Sequence, residues 1–410
     1  MVRTRSTRLI EYSSSQQTIK YNNTMLLFNL IRDRMPISRA GLARLCPLSA
    51  STISNLVDDL LKNEWIIETE SVQASARGRR SVMLEVNARR GYVATVELLG
   101  RDFICTLYNI GLQKIAGTRV RNTLYTGATI ADSLRDLLAA QRIPSCLLLG
   151  IHLIFPGVVD PVNGDLIRST VFPSEDIIDR HMVTQLKKRY PDTHVMISSN
   201  GTIIAFEEFI KRDDVSPLPL LSLNIDEAIF GGVVLSDESE LTNYCFPLEI
   251  GHTIVDCNGR LCKCANHGCL ETLCATPILF RELNEKAGTQ LSYSEEFGMD
   301  CNVTAMKEVA VLLERGDAAV MGVLERYAYA LCCGLISVIN LFHICTIRIG
   351  GDLAILGEPF LELLKKTLYT RFFPLNNLYQ PQLKLFVSDY EQVRLAATIM
   401  CLDVLFREEL

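Results

Sequence analysis

Apolar positions change their spacing twice along the chain. Between residues 22 and 61 they follow a helical period. Met25, Leu26, Phe28, Leu30 and Ile31 predict a first helix that ends near Pro36, whose ring removes a backbone donor. Ser38 is suited to cap a short second helix with Leu42 and Leu45 inward, and Pro47 and Leu48 make a turn. Ser49 caps a third helix, whose apolar stripe is Ile53, Leu56, Val57, Leu60 and Leu61. The period then drops to two: "EWIIETESVQASARGRRSVMLEVN" reads as two strands around a turn that ends in Arg77, Arg79 and Arg80.

From residue 92 strands alternate with helices. "YVATVELLGRDFICTLYNI" and "LLSLNIDEAIFGGVVL" predict hairpins of buried strands, and "CLLLGIHLIFPGVVDPVNG" a strand followed by a Pro-Gly turn. "HVMISSNGTIIAFEEFI" runs from strand into helix, and "ALCCGLISVINLF" is a buried helix before the strand "CTIRIGG". The expected class is α/β, with a helical head over residues 1–88, a first lobe over 89–200, and a second lobe with the C-terminal helices over 201–410.

Composition sharpens the division. The 410 residues are 48% hydrophobic and 21% charged, ordinary for a soluble chain, and no apolar run reaches the roughly 20 residues of a membrane span. The first residues carry basic side chains without the apolar segment of a secretory signal, so no membrane insertion and a cytoplasmic location are expected. Residues 1–90 hold 14 Lys+Arg against 8 Asp+Glu, leaving 27 against 39 for the rest. A basic head on an acidic body points to a polyanionic partner for the head alone.

The third helix presents Ser49, Ser51, Thr52, Ser54 and Asn55 on its early turns. Short hydroxyl and amide side chains there can approach phosphates and base edges in the major groove of double-stranded DNA. Arg77, Arg79 and Arg80 would act as a wing along the backbone or in a minor groove. The alternative is a three-helix packing module with solvated arginines. The joint occurrence of capped helices, hairpin and local basic charge favours a winged helix-turn-helix.

The densest chemistry is "GHTIVDCNGRLCKCANHGC", residues 251–269. The spacing H-x9-C-x-C-x4-C selects His252, Cys262, Cys264 and Cys269, one imidazole and three thiolates suited to tetrahedral Zn2+. Four protein ligands close the coordination shell, so the expected role of the metal is structural. His267 is the alternative nitrogen ligand, and Cys257 and Cys274 are left over.

"LEIGHTIVDCNGRLCKCANHGCLET", with "FPGVVDPVNG" and "NLFHICTIRIGG", resembles the ROK family of bacterial sugar kinases and sugar-responsive transcriptional repressors. The resemblance spans nearly the whole chain in order. It implies a two-lobed, actin-like body, zinc on the four positions above, and a sugar-like ligand contacted by Glu249, His252 and Glu271. Ser199 and Asn200 fall on the remaining ligand-contacting positions. An N-terminal winged helix is what the repressor branch carries.

The same resemblance implies lost catalysis. Asn200 stands where the family has its catalytic aspartate, and an amide is no general base near neutral pH. "TVELLGRD" puts Glu97 and leucines where the first phosphate turn has aspartate and glycines. "NIDEAIFGG" puts Asp226 and Glu227 beside the second, and Asp352 follows Gly350 and Gly351 in the third. The expectation is a non-enzymatic DNA-binding regulator acting as a homodimer or tetramer. Its controller would be a sugar or sugar-phosphate effector or, alternatively, a protein partner; a sugar kinase with a fused head is the rival.

Overall fold

The computed structural model describes residues 16–70, 82–100, 102–121, 124–160, 164–169, 172, 178–211, 217–235, 245–294, 300–371, 380–386 and 389–409. Arg77, Arg79 and Arg80 lie outside these residues.

The head contains helices α1 (Gln16–Arg34), α2 (Arg39–Leu45) and α3 (Ala50–Lys62), then strands β1 (Ile66–Glu70) and β2 (Val82–Val86). Both expected caps form: Ser38 Oγ accepts from the Gly41 N–H and Ser49 Oγ from the Thr52 N–H. The strands pair antiparallel with Ile66 opposite Val86, and Ile37 bridges to Leu84. α1 begins before the apolar run that predicts it. Its consecutive residues Met25, Leu26, Leu27 and Phe28 are all buried, which requires packing on more than one side.

The first lobe follows with β3 (Tyr92–Leu98), β4 (Asp102–Asn109), β5 (Lys114–Arg121), α4 (Gly127–Ala140), β6 (Leu148–Phe155), β7 (Val158–Val159), β8 (Leu166–Arg168), α5 (Met182–Arg189), β9 (His194–Ser199) and α6 (Asn200–Lys211). Its sheet runs β5-β4-β3-β6-β9, an antiparallel meander continued by two parallel strands. The second lobe contains β10 (Leu220–Ile225), β11 (Ile229–Val234), β12 (Cys245–Leu248), α7 (Glu271–Cys274), α8 (Thr276–Ala287), α9 (Asp300–Glu314), α10 (Ala318–Phe342), β13 (Thr346–Gly351), α11 (Gly357–Arg371) and β14 (Gln382–Leu385). Its sheet, β12-β11-β10-β13-β14, repeats the strand order of the first. α10 is long and apolar enough by composition to cross a membrane, yet Val323, Leu324, Leu331 and Leu335 are core residues of this lobe.

One last helix, α12 (Tyr390–Glu409), corrects the expected division. The sequence assigned it to the second lobe. It instead packs on β3, β6 and α6, and Cys401, Leu402, Leu405 and Phe406 are buried in one core with Phe28, Leu56, Trp65 and Val93. The Phe406 ring lies 4.7 Å from that of Phe28 and 4.5 Å from that of Trp65. Tyr21 donates to the Asp403 carbonyl over 3.1 Å. Deeper in, His152 of β6 donates through Nδ1 to the Ala397 carbonyl (2.7 Å), while Nε2 meets Ser198 Oγ of β9 at 2.9 Å. Burial pushes this imidazole down to about 4, so it packs neutral. Head and body therefore share a core through α12.

Candidate functional site

A cavity of about 280 Å³ opens where the two lobes meet. Its walls come from the turn after β6 (Pro156, Gly157), the end of β8 (Arg168), the β9–α6 junction (Ser199, Asn200, Gly201), β11 (Ile229, Phe230) and the loop segment after β12 (Glu249, His252, Cys264, Asn266), with Glu271. Every ligand-contacting residue expected from the sequence thus lines one space. The volume lies just below the ~300–1,000 Å³ usual for ligand pockets, the scale of a small, compact ligand.

The backbone enforces this closeness. A Cβ on Gly201 would lie 2.0 Å from the Gly231 carbonyl oxygen, so glycine is what lets α6 meet β11. Ser199 Oγ accepts from the Thr202 N–H (3.2 Å) and so caps α6. Asn200 Oδ1 is buried without a hydrogen-bond partner, an orphaned acceptor in a ligand-sized space. Glu271 Oε2 accepts from the Ile229 N–H over 3.1 Å, which fixes its carboxylate. Burial raises the Glu249 carboxyl above its usual range; nearby His252 opposes this and Glu271 adds to it.

His252, Cys262, Cys264 and Cys269 converge behind this wall, their ligand atoms all within 4.8 Å of one another. His252 Nδ1 lies 3.6 Å from Cys262 Sγ, and Cys264 Sγ lies 3.5 Å from Cys269 Sγ. A tetrahedron with Zn–S bonds near 2.3 Å has edges of roughly 3.8 Å, so the donor set fits zinc in type and spacing. Gly268 (φ +70°) makes the loop close: a Cβ there would lie 1.5 Å from the Asp256 carbonyl oxygen. His267 is not among the converging residues. Its Nδ1 donates to the Gly259 carbonyl over 3.1 Å on the exposed side. Cys257 is exposed, and Cys274 is buried with its Sγ 3.8 Å from the Tyr327 carbonyl.

The cleft where a phosphate cradle was expected to be lost is filled by the chain itself. Glu97 at the end of β3 binds Arg394 Nη1 of α12 at 2.6 Å, both side chains being buried. Arg394 Nη2 reaches Glu391 at 3.3 Å, and Glu391 accepts from Tyr108 (2.6 Å) and Lys114 (2.6 Å). On the second lobe Asp226 accepts from Asn224 Nδ2 and the Asp352 N–H, each at 2.6 Å, and from the Tyr390 hydroxyl at 3.3 Å. Burial, and after it the Asp352 charge, pushes the Asp226 carboxyl up to about 7. A Cβ on Gly351 would lie 2.4 Å from Asp226 Oδ1. The first two turns of α12 thus fasten both lobes across this cleft. Arg394, Tyr390 and Arg168 were missed by sequence reasoning; the partners of Arg394 and Tyr390 lie far away in the chain, and Arg168 is one of many scattered arginines.

On the head, Ser49 Oγ is engaged in the cap and lies 2.9 Å from Ser51 Oγ and 2.8 Å from Thr52 Oγ1. Ser54 Oγ accepts from Arg39 Nη1 over 3.1 Å, and Arg39 also pairs with Asp58 at 2.8 Å. Thr52 and Ser54 are therefore half-buried at the start of α3, while Ser49, Ser51 and Asn55 are exposed there and Arg44 is exposed on α2.

The chain is similar to known proteins over most of its length. The ROK family pattern matches residues 93–382. A putative xylose repressor of Caldicellulosiruptor sp. (strain Rt8B.4) is 28% identical over 365 residues, covering 87% of this chain and 89% of that protein. The DNA-binding transcriptional repressor Mlc of Escherichia coli (strain K12) is 23% identical over 365 residues, 87% of each chain. Among solved structures, a ROK family transcriptional regulator described as a homolog of the E. coli MLC protein superposes with a TM-score of 0.72 at 20% identity, over 95% of this chain and 98% of its own. A ROK family glucokinase from Streptomyces griseus, in complex with glucose and AMPPNP, gives 0.56 at 15% identity over 76% and 99%.

Proposed function

From the premise that this chain belongs to the ROK family, we propose that it is a DNA-binding transcriptional repressor of sugar-utilisation genes, with a sugar-responsive body that transfers no phosphate. α1 to α3 with β1 and β2 make the head a winged helix-turn-helix, the described residues of 89–200 and 201–389 make the two actin-like lobes, and α12 ties them to the head. The observation that carries this reading is the head: Ser49 and Arg39 fix α3 so that Ser51 and Asn55 stand exposed at its start.

In use, α3 would enter the major groove, with Ser51 and Asn55 toward base edges and Arg44 and the wing arginines Arg77, Arg79 and Arg80 toward phosphates. One helix reads too few base pairs for useful affinity, so the working form is a homodimer or tetramer on a palindromic site in the cytoplasm. His252, Cys262, Cys264 and Cys269 would hold a structural Zn2+, which would cross-link the loop that carries His252 and follows Glu249 at the cavity. Glu249 and Glu271 accept hydroxyl hydrogen bonds from the sugar-like ligand, and Ser199 and Asn200 close the opposite wall. A ligand controls DNA affinity only if it binds one arrangement of the lobes better than another, and α12 offers the physical link from cavity to head.

The test is selection of bound fragments from genomic DNA by the full chain. Enrichment of a palindromic sequence beside sugar-utilisation genes is expected; recovery of unrelated fragments in proportion to their abundance would refute the reading.

A further inference from the structure

His152 has no exposed surface and takes no part in the cavity wall, yet both its ring nitrogens are engaged. Only an N–H can meet a carbonyl, so Nδ1 carries the proton toward Ala397, and the neutral ring leaves Nε2 to accept from the Ser198 hydroxyl. These two partners belong to different parts of the molecule. Ser198 directly precedes Ser199 and Asn200, which line the cavity. Ala397 lies within α12, and its carbonyl takes this side-chain bond in mid-helix. One turn further along, α12 approaches β6 so closely that a Cβ on Gly150 would come 2.5 Å from Cys401 Sγ. Gly150 and His152 share one face of β6, so that strand holds α12 at successive turns. The next residues of the helix, Leu402, Leu405 and Phe406, enter the head's core against Phe28 and Trp65. Ser198 Oγ also lies 3.8 Å from Met400 Sδ of α12, but a thioether is a weak acceptor and the imidazole is the stronger partner.

From this juxtaposition we infer that His152 is the positioning residue that couples cavity to head, passing occupation of the cavity to α12 through its bonds to Ser198 and Ala397. The inference deepens the sugar-responsive reading above and rests on it. Asn200 Oδ1 is a buried acceptor that a ligand hydroxyl would satisfy, and forming that bond draws on the β9–α6 junction. Ser198, two residues back, moves with the junction. Its contact with Nε2, at 2.9 Å, tolerates little displacement before the bond is lost. The ring then either follows Ser198 or keeps a buried acceptor without a donor. Because the imidazole is planar and rigid, a shift at Nε2 reappears at Nδ1 and so at the α12 carbonyl. An aliphatic side chain at this position would fill the space and make neither bond, leaving cavity and head to respond independently.

The experiment measures how strongly sugar and duplex influence each other's binding. Full-length protein is titrated onto the genomically selected duplex by fluorescence anisotropy, with and without each member of a panel of free pentoses, hexoses and N-acetylhexosamines. Calorimetry gives the affinity of every variant for the same sugars. In the wild type at least one sugar changes duplex affinity by about tenfold, within the ~5–150-fold range of coupled sites. His152→Leu removes both bonds, and Ser198→Ala removes only the one on the cavity side. Each variant binds that sugar alone, and the duplex alone, within about threefold of wild type, while the coupling falls below about twofold. The double variant is no worse than either single one, as expected of two residues acting through one path. Emission from Trp65 shifts on sugar addition in the wild type and stays fixed in the variants, and thermal melting by circular dichroism verifies that they fold. Wild-type coupling in Ser198→Ala and His152→Leu would overturn the role of His152 and leave sugar control standing. Loss of sugar or duplex binding itself in Ser198→Ala would overturn it too, because the bond would then serve structure alone. If no sugar on the panel alters duplex affinity of the wild type, sugar control falls, and the coupling role with it.

Discussion

Truncating Phe406 to alanine isolates the joint between head and body. The side chain is 1% exposed and lies edge-on to Trp65 at 4.5 Å and tilted against Phe28 at 4.7 Å. Removing a phenyl group that buries roughly 150 Å² costs about 4 kcal/mol at about 25 cal/mol per Å². That agrees with the ~3–5 kcal/mol range of Phe→Ala changes in packed cores. It corresponds to about a thousandfold rise in the population with head and α12 undocked. The assay is built in, because Trp65 is the chain's single tryptophan and lies at this joint, with the Arg90 guanidinium 4.7 Å from its ring. Intrinsic fluorescence therefore reports docking, while far-UV circular dichroism reports the whole chain. In the Phe406→Ala protein the fluorescence transition should shift to lower temperature and separate from the dichroism transition, which the two large lobes dominate. Coincident transitions at the wild-type temperature would refute the claim that α12 holds the head.

Three further outcomes follow from the same geometry. Zinc removal by a chelator, or Cys264→Ser, should loosen the loop that carries Glu249 and weaken ligand binding, while the head's own fluorescence transition stays in place; metal analysis of the purified protein should give one zinc per chain. Asn200→Asp should give no sugar-dependent ATP turnover in a coupled assay, because Glu97–Arg394 and Tyr390–Asp226 fill the cleft beside it; measurable turnover would contradict that. Asp226 is protonated more readily in the folded protein than in the unfolded chain, so its contribution is fully present below the ordinary carboxyl range and is lost as pH rises toward about 7. Wild-type Tm should therefore fall between about pH 4 and pH 7 by more than that of Asp226→Asn. Equal pH dependence in both proteins would remove Asp226 as the source.

Much of this architecture was legible because its causes are local. Ser38 and Ser49 announce helix starts through a hydroxyl that meets an N–H three residues on, and both bonds are present. The strand runs at residues 93–98, 148–155 and 220–225 are apolar because they are buried, and they form the centres of the two sheets. The cysteine cluster was legible because metal spacing is a short-range pattern, and the four ligands do converge. The destination of α12 was not legible. Its sequence is compatible with a surface interface or a core, and its choice depends on Phe28 and Trp65, more than 300 residues earlier. Arg394 answers Glu97 across 297 positions, so neither charge revealed its partner. Among the expected duplex contacts, a list of polar residues could not separate Ser54, which is half-buried and held by Arg39, from Ser49, Ser51 and Asn55, which stand exposed.

The central claim is that the exposed start of α3 reads a duplex on behalf of a body without catalysis. Fluorescence anisotropy on the genomically selected duplex and on an unrelated one, at about 0.15 M salt, tests it most directly in the Ser51→Ala/Asn55→Ala protein. The account predicts that affinity for the selected duplex falls to the level of the unrelated duplex, a loss of at least roughly tenfold, while binding to the unrelated duplex is unchanged. Wild-type discrimination surviving both substitutions would contradict it.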